Sequence, residues 1–439
     1  MKTPAVKGLF AAVAAVVLAA TPLTGRSVTV DVTKFQQRYP WNGLVDIDYT
    51  ISRSGNEAEL DAVKHSVRIF VVNCENATTN VAHVFRQGAL PVSDGAHRVT
   101  WDANAEGINF KSQDVKVFAE IIHYAEKYMV IDVSAGPEDG KVYPVTYLHG
   151  EPAGGLNTDE YKGSKIVLRL IPPGAFVMGS PTGEPGRAPA PEVQHAVAIS
   201  KPFYIGVFEV TQGQYEKVTG SNPSAYKDDG RRPVENVKYN DIRGTADVTT
   251  HQNDWPWTNE VAADSFMGRL RAKCREWDPD TQTYAKEIDG LFDLPTEAQW
   301  EYACRAGTAT PYNNGEPCAV ETDLGKNLQL LGRYKTNSSG LYHAVVGTAG
   351  ASNDWGLYDM HGNVWEWCLD WYREDVQNIG NPSLDPVGPN TGTGSTWYRI
   401  RRGGSWADAA KDCRSACRAP DTPVDEYNGN GFRLCRTLP

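Results

Sequence analysis

Gly356-Leu-Tyr-Asp-Met-His-Gly-Asn-Val-Trp-Glu-Trp367 sets two carboxylates and two glycines among bulky aromatics within twelve residues. Asp359 and Glu366 are hard oxygen donors seven positions apart, and Gly362 permits a sharp turn that aims backbone carbonyls inward. Trp365 and Trp367 supply apolar walls that keep water out. The stretch reads as a loop built to hold a hard cation, with calcium the natural guest. A plainer reading serves the same composition: the aromatics are core residues and the two acids cap turns.

Other blocks flank this loop in a fixed order. Upstream stand Phe208-Glu-Val-Thr-Gln212 and Leu294-Pro-Thr-Glu-Ala-Gln-Trp-Glu-Tyr-Ala-Cys304; downstream stand Arg401-Arg-Gly-Gly-Ser-Trp406 and Gly431-Phe-Arg-Leu434. Together they resemble the formylglycine-generating enzyme, or sulfatase-modifying factor, family from about Ile166 to Pro439, roughly three fifths of the chain. The resemblance implies an irregular, loop-rich α+β domain related to C-type lectin domains.

Toward the N-terminus the pattern differs. Lys2 and Lys7 precede an apolar run, Gly8 to Ala20, too short to span a bilayer and ending in small residues, which reads as a signal peptide cleaved near Ala20. The expectation is export to a secreted, periplasmic or cell-surface location, with no membrane-spanning segment in the mature protein. Val45, Ile47, Tyr49 and Ile51 alternate with Asp46, Asp48 and Thr50, and Val115, Val117, Ala119 and Ile121 alternate with mostly polar neighbours. This period of two marks half-buried strands, with more expected at 66–72, 97–103 and 128–133. Residues 27–147 are therefore expected to form an all-β immunoglobulin-like sandwich with a supporting role. Residues 148–165, rich in Gly, Pro, Asn and Asp, are read as a linker, leaving 166–439 as the second domain.

In that domain, Ile166 to Gly179 reads as two strands broken by Pro172-Pro173-Gly174. Thr211 with Gln214, and Thr296 with Gln299, spell capping boxes, with Gly220 and Gly307 as stops; a further helix is expected over 261–275. Beyond Gly307 the chain is largely aperiodic, so much of this domain is expected to be irregular loop held by its core, turns, ions and disulfides.

Composition excludes several chemistries. A net charge of −11 and the lack of a Lys/Arg-rich run argue against nucleic acid as a partner. The eight cysteines show no C-x-x-C; in an exported protein they point to disulfides, seven of them beyond residue 270 with Cys74 left over. No His-Glu-x-x-His or Gly-x-Ser-x-Gly occurs, which disfavours zinc hydrolases and serine hydrolases. His361 is expected to hydrogen-bond within its own turn.

The family resemblance assigns roles to particular positions. It implies calcium held by the Asp359 side chain, the carbonyls of Gly362 and Val364 and the Glu366 carboxylate; a second calcium at Asn327 and Leu328; and a further ligand in Glu209. It also implies a copper(I) oxidase site of two cysteines five apart beginning two residues after the aromatic of Gly-Gly-Ser-aromatic. Here Asp408 takes the first place, and Cys413 and Cys417 are four apart and out of register, although Ser405 remains.

Three functions follow. The first is a non-catalytic, calcium-stabilised scaffold that binds a protein or glycan through Trp406, Asp408, Lys411, Asp425, Tyr427, Asn428 and Asn430, resembling the variable proteins of diversity-generating retroelements. The second is a formylglycine-generating oxidase using copper at Cys413 and Cys417 with Ser405. The third is an iron-dependent sulfoxide synthase, for which the β domain offers no histidine triad. The departures from the oxidase pattern favour the first.

Overall fold

The computed structural model describes residues 28–38, 43–53, 65–73, 78–82, 85–86, 90–103, 115–123, 127–152, 154–244, 260–279, 281–288, 292–338, 342–374, 383–388 and 397–438. The chain divides into two compact units, Met1–Tyr124 and Ala125–Pro439. The signal peptide expected over 1–20 lies outside the described residues, as does Cys74. Among the described residues no helix is long and apolar enough to cross a membrane.

Among its described residues the first unit holds six strands: β1 (Val28–Gln37), β2 (Leu44–Arg53), β3 (His65–Asn73), β4 (Thr78–Ala82), β5 (Gly95–Asp102) and β6 (Val115–His123). They form two three-stranded antiparallel sheets, ordered β1-β2-β5 and β4-β3-β6. The two-residue period works as read: Val45, Ile47, Tyr49 and Ile51 are buried, and Val67, Ile69, Val71, Val99 and Trp101 share the same apolar cluster. Burying one such side chain stabilises by roughly 1.5–3 kcal/mol. The alternate positions point to solvent and pair across strands, Asp46 with Arg38 at 2.8 Å and Asp48 with Arg98 at 2.6 Å.

The second unit begins earlier than the sequence reading placed it. Its elements in order are β7 (Tyr128–Asp132), β8 (Tyr143–Leu148), α1 (Asp159–Gly163), β9 (Lys165–Ile171), β10 (Gly174–Met178), β11 (His195–Ile199), β12 (Phe203–Gly206), α2 (Gln212–Thr219), α3 (Tyr239–Arg243) and α4 (Phe266–Lys273). Then come β13 (Cys274–Asp278), β14 (Thr283–Lys286), β15 (Phe292–Asp293), α5 (Glu297–Arg305), α6 (Glu321–Leu328), β16 (Trp365–Trp371), β17 (Ser383–Leu384), β18 (Arg399–Arg402), β19 (Arg418–Asp421), β20 (Asn430–Gly431) and β21 (Cys435–Thr437). The largest sheet runs β14-β13-β8-β7-β9-β12-β21-β15. Strands β7 and β8, expected in the first domain, pair with β9 and β13 here. The expected linker is likewise packed into this unit, for Leu156 and Tyr161 are buried in a cluster with Tyr128, Val167, Val207 and Phe208. The strand expected over 128–133 forms as β7, but its domain was misassigned, because a period of two names a strand without naming its partner.

Both capping boxes form: Thr211 and Thr296 accept from the amides of Gln214 and Gln299, whose side chains bond back. Helix α2 stops at Gly220 (φ 86°), whereas α5 ends in left-handed Ala306 one residue before Gly307, and the helix expected over 261–275 is confined to α4.

The expected disulfides are absent among the described cysteines, all seven of which are free. Buried arginines tie the loops instead. Arg243 pairs with Asp293 at 2.6 Å, Arg414 with Glu184 at 2.6 Å and Glu192 at 2.8 Å, Arg433 with Glu366 at 2.7 Å, and Arg402 with Glu301. Each bridges segments far apart in sequence, and removing one partner would leave a buried charge uncompensated.

Candidate functional site

Antiparallel β16 and β18 set Glu366 opposite Arg402, and parallel β20 sets Glu366 beside Gly431, so the aromatic loop, the Gly-Gly-Ser turn and the C-terminal Gly-Phe-Arg-Leu block meet on one sheet. The loop needs four left-handed residues, Gly356 (φ 79°), Asp359 (φ 57°), Gly362 (φ 93°) and Asn363 (φ 64°). Asp and Asn tolerate that region, whereas Gly362 is required outright, since a Cβ there would lie 2.1 Å from the Arg333 carbonyl oxygen.

Asp359, Glu209 and Glu366 are all buried. Oδ2 of Asp359 accepts from the Gly347 amide at 2.5 Å, while Oδ1 has no partner. Glu209 accepts from Asn363 Nδ2 at 2.6 Å and the Val364 amide at 3.2 Å. Burial raises the Asp359 carboxyl to about 6, with Glu366 adding repulsion that Arg433 and Lys162 oppose; burial, Asp359 and Glu366 push Glu209 well above the carboxylate range. Glu366 departs from expectation. Arg433 and Trp300 between them donate to both of its oxygens, at 2.7 to 3.1 Å. Its lone pairs are thereby committed to an internal cation.

These residues fit a hard cation in part. An orphaned carboxylate oxygen among mutually repelling acids is a site that added positive charge would relieve, and Asp359 offers one. Glu366 fits only by giving up Arg433. The second expected calcium site does not assemble. The Leu328 carbonyl ends α6 and accepts from Leu331 and Gly332 at 2.9 and 3.1 Å, while the Asn327 side chain turns to Cys318 Sγ at 3.3 Å. Among the described residues no group of three or more His, Cys, Asp or Glu side chains is arranged to hold a metal.

Of the residues expected to carry oxidase chemistry, Cys413 and Ser405 are buried and Cys417 is half-buried. Gly404 lies over Cys413, since a Cβ there would fall 2.5 Å from its Sγ, and Ser405 follows in the same turn. Cys413 is 0% exposed, within an apolar cluster of Tyr312, Leu324, Leu328, Leu331 and Tyr334. Burial pushes its thiol well up, with Asp408 and Cys417 adding to the effect, and pushes Cys417 up to about 12. A copper(I) site wants two converging thiolates, and this environment holds both sulfurs protonated. Ser405 donates instead to Asp408, which also accepts from Trp365 Nε1 at 2.8 Å. His361 does not bond within its turn: Asn313 N–H donates to Nε2 at 3.2 Å, which leaves the proton on Nδ1 to bond the Cys413 carbonyl at 2.8 Å. Burial holds this histidine down at about 4, so it is a neutral brace.

The expected ligand face divides. Trp406 and Tyr427 lie at the surface, Tyr427 at 37% exposure, and Trp406 Nε1 donates to the Asn428 carbonyl at 3.3 Å. Asp425 and Lys411 are exposed. Asn430 is not available: it is fully buried, its side chain held by Arg401 at 2.6 Å and Asp421 at 2.8 Å. Asp408 is occupied as the brace of Ser405 and Trp365. Sequence reading missed Tyr226 and Tyr342, whose rings stack at 4.1 Å and 8°, with Trp406 edge-on to Tyr226 at 6.1 Å and Asn428 Nδ2 bonding the Tyr226 hydroxyl at 3.3 Å. Both tyrosines sit in aperiodic loops far apart in the chain, where no local pattern announces them.

Comparison with known proteins adds the lineage. The sulfatase-modifying factor enzyme 1-like domain matches residues 157–438. A formylglycine-generating enzyme of Streptomyces coelicolor is 31% identical over 288 residues, covering 60% of this chain and 87% of that protein. One from Thermomonospora curvata is 28% identical over 263 residues, covering 56% and 68%. Among solved structures, Treponema denticola variable protein 1 aligns with a TM-score of 0.46 at 26% identity, covering 62% of this chain and 95% of its own. The chain belongs to the family defined by the sulfatase-modifying factor enzyme 1-like domain.

Proposed function

We propose that this protein is an exported, calcium-stabilised ligand-binding scaffold whose family fold has lost the oxidase. The observation that carries the reading is Cys413, the buried sulfur beside Ser405, sealed from solvent and held as a neutral thiol while Ser405 bonds Asp408. A peptide cysteine has no route to such a sulfur, and a protonated thiol is a poor copper ligand. The binding face is the aromatic shelf of Tyr226, Tyr342, Trp406 and Tyr427 with Asn428, and its ligand a protein or glycan. Calcium would be held by Asp359 with the carbonyls of Gly362 and Val364, supplying positive charge to the buried acids, while Glu366 stays paired with Arg433. The first unit would serve as a supporting, immunoglobulin-like module.

A second reading, a formylglycine-generating oxidase, draws on the closeness of Cys413 to the Gly404-Ser405 turn. The two are separated by incubating the mature protein with copper, oxygen and a sulfatase-type Cys-x-Pro-x-Arg peptide and following aldehyde formation by mass. The scaffold reading expects none. Aldehyde production lost in Cys413→Ser or Cys417→Ser would establish the oxidase.

A further inference from the structure

Beneath the aromatic shelf lies a buried pair that the proposed function leaves unused. Glu235 and His343 are both 0% exposed, and Glu235 Oε1 lies 3.7 Å from His343 Nε2, beyond hydrogen-bond reach but within a small shift of it. Glu235 Oε2 and both ring nitrogens of His343 have no partner. The pair is wired to the shelf. Glu235 Oε1 accepts the Tyr226 amide at 2.9 Å, and the His343 ring stands edge-on to Tyr226 at 5.8 Å and to Tyr342 at 5.6 Å.

We infer that Glu235 and His343 form a proton-operated latch: a proton taken from solvent onto the His343 ring draws imidazolium and carboxylate together and resets the Tyr226–Tyr342 stack, making the ligand face responsive to acid. In either neutral tautomer His343 buries one donor and one acceptor unpaired, an arrangement that costs free energy in proportion to its burial. Once charged, the ring makes a charge-assisted bond at roughly 2.7–2.9 Å to Glu235, which must be reached by moving the oxygen that holds Tyr226 or the ring that abuts it. The surrounding charges oppose one another. Burial and the Arg232 guanidinium, which donates to the His343 carbonyl and lies over Tyr342, disfavour the proton; Glu235 and Asp228, the latter bonded to the Tyr342 hydroxyl and paired with Arg232, favour it. Burial dominates and holds His343 below its usual value, so the latch works on the acid side of neutrality.

The effect on ligand binding rests on the proposed function, but the latch itself is read without a ligand. Near-ultraviolet circular dichroism of the whole protein, scanned from about pH 7.5 to 4.5, is expected to change in the tyrosine region while the far-ultraviolet signal holds, with the His343 Cε1–H resonance titrating at the same midpoint. His343→Gln should abolish the change. Glu235→Gln, which removes the countercharge, should lower the midpoint by about one unit or more. A flat optical titration, or the same change in His343→Gln, overturns the latch; should that variant not fold, a His343 resonance that fails to titrate with the optical signal does so. Aldehyde formation in the oxidase assay would overturn the binding reading and leave the latch standing.

Discussion

The Arg433 guanidinium grips Glu366 through Nη2 at 2.7 Å and through Nε at 3.0 and 3.1 Å to its two oxygens. This contact joins the last sequence block to the aromatic loop, and it separates two roles that the sequence assigned together. Glu366 braces the fold, while Asp359 keeps one oxygen without a partner.

Chelation tests that separation. An ion binding only the folded state at a hundred times its dissociation constant adds about 2.7 kcal/mol, so a chelator should lower the wild-type melting temperature and leave Asp359→Ala unmoved. Glu366→Gln should lose about 3–5 kcal/mol with or without calcium, because it strands Arg433 in the interior. An Asp359→Ala protein that remains as chelator-sensitive as wild type would sink the assignment.

Asp370 should make stability fall as pH rises. It is buried, accepts from the Glu297 amide at 2.7 Å, and burial with repulsion from Glu297 lifts it from an ordinary 3.8 to about 7. The folded state therefore holds a proton that the unfolded state releases. Between about pH 4 and 7 this group costs stability as pH increases, up to about 4 kcal/mol at ~1.4 kcal/mol per unit, and the loss levels off above 7. Asp370→Asn keeps an acceptor for the amide and should flatten that slope in denaturant titrations. An unchanged slope would show that Asp370 does not carry it.

The unit boundary can be tested by truncation. A chain beginning at Ala125 retains β7, β8 and α1 and should melt cooperatively. One beginning at Ile166 loses the strand that pairs along β9, together with the buried side chains of Met129, Val130 and Tyr161, and should show no cooperative transition. Equal melting of the two would refute the assignment of β7 and β8.

Thiol chemistry checks the cross-linking. With no disulfide among the described cysteines, non-reducing alkylation in denaturant should label all seven, Cys274, Cys304, Cys318, Cys368, Cys413, Cys417 and Cys435. In the native state the fully buried Cys304, Cys368 and Cys413 should stay unlabelled. Any of the seven found protected by a bridge after unfolding would contradict the structure.

The elements most legible from sequence were those written in local rules. Two capping boxes, the Pro172-Pro173 break between strands and the alternation over 45–51 each depend on residues a few positions apart, and each formed as read. The ordered blocks carried the family because residues in them meet close steric or polar demands, as Gly362 does against Arg333.

What the sequence alone determined was therefore local: where helices start, which face of a strand is buried, which loop gathers acids. Only the tertiary structure decided the partners. It assigned β7 and β8 to the larger sheet, gave Glu366 to Arg433, spent Asn430 on Arg401 and Asp421, turned Asp408 to Ser405, and stacked Tyr226 on Tyr342. The physical reason is the same in each case. A carboxylate or a ring can satisfy its chemistry with many neighbours, and the choice among them is made when distant segments compete for one buried volume, where an unpaired charge is too costly to leave.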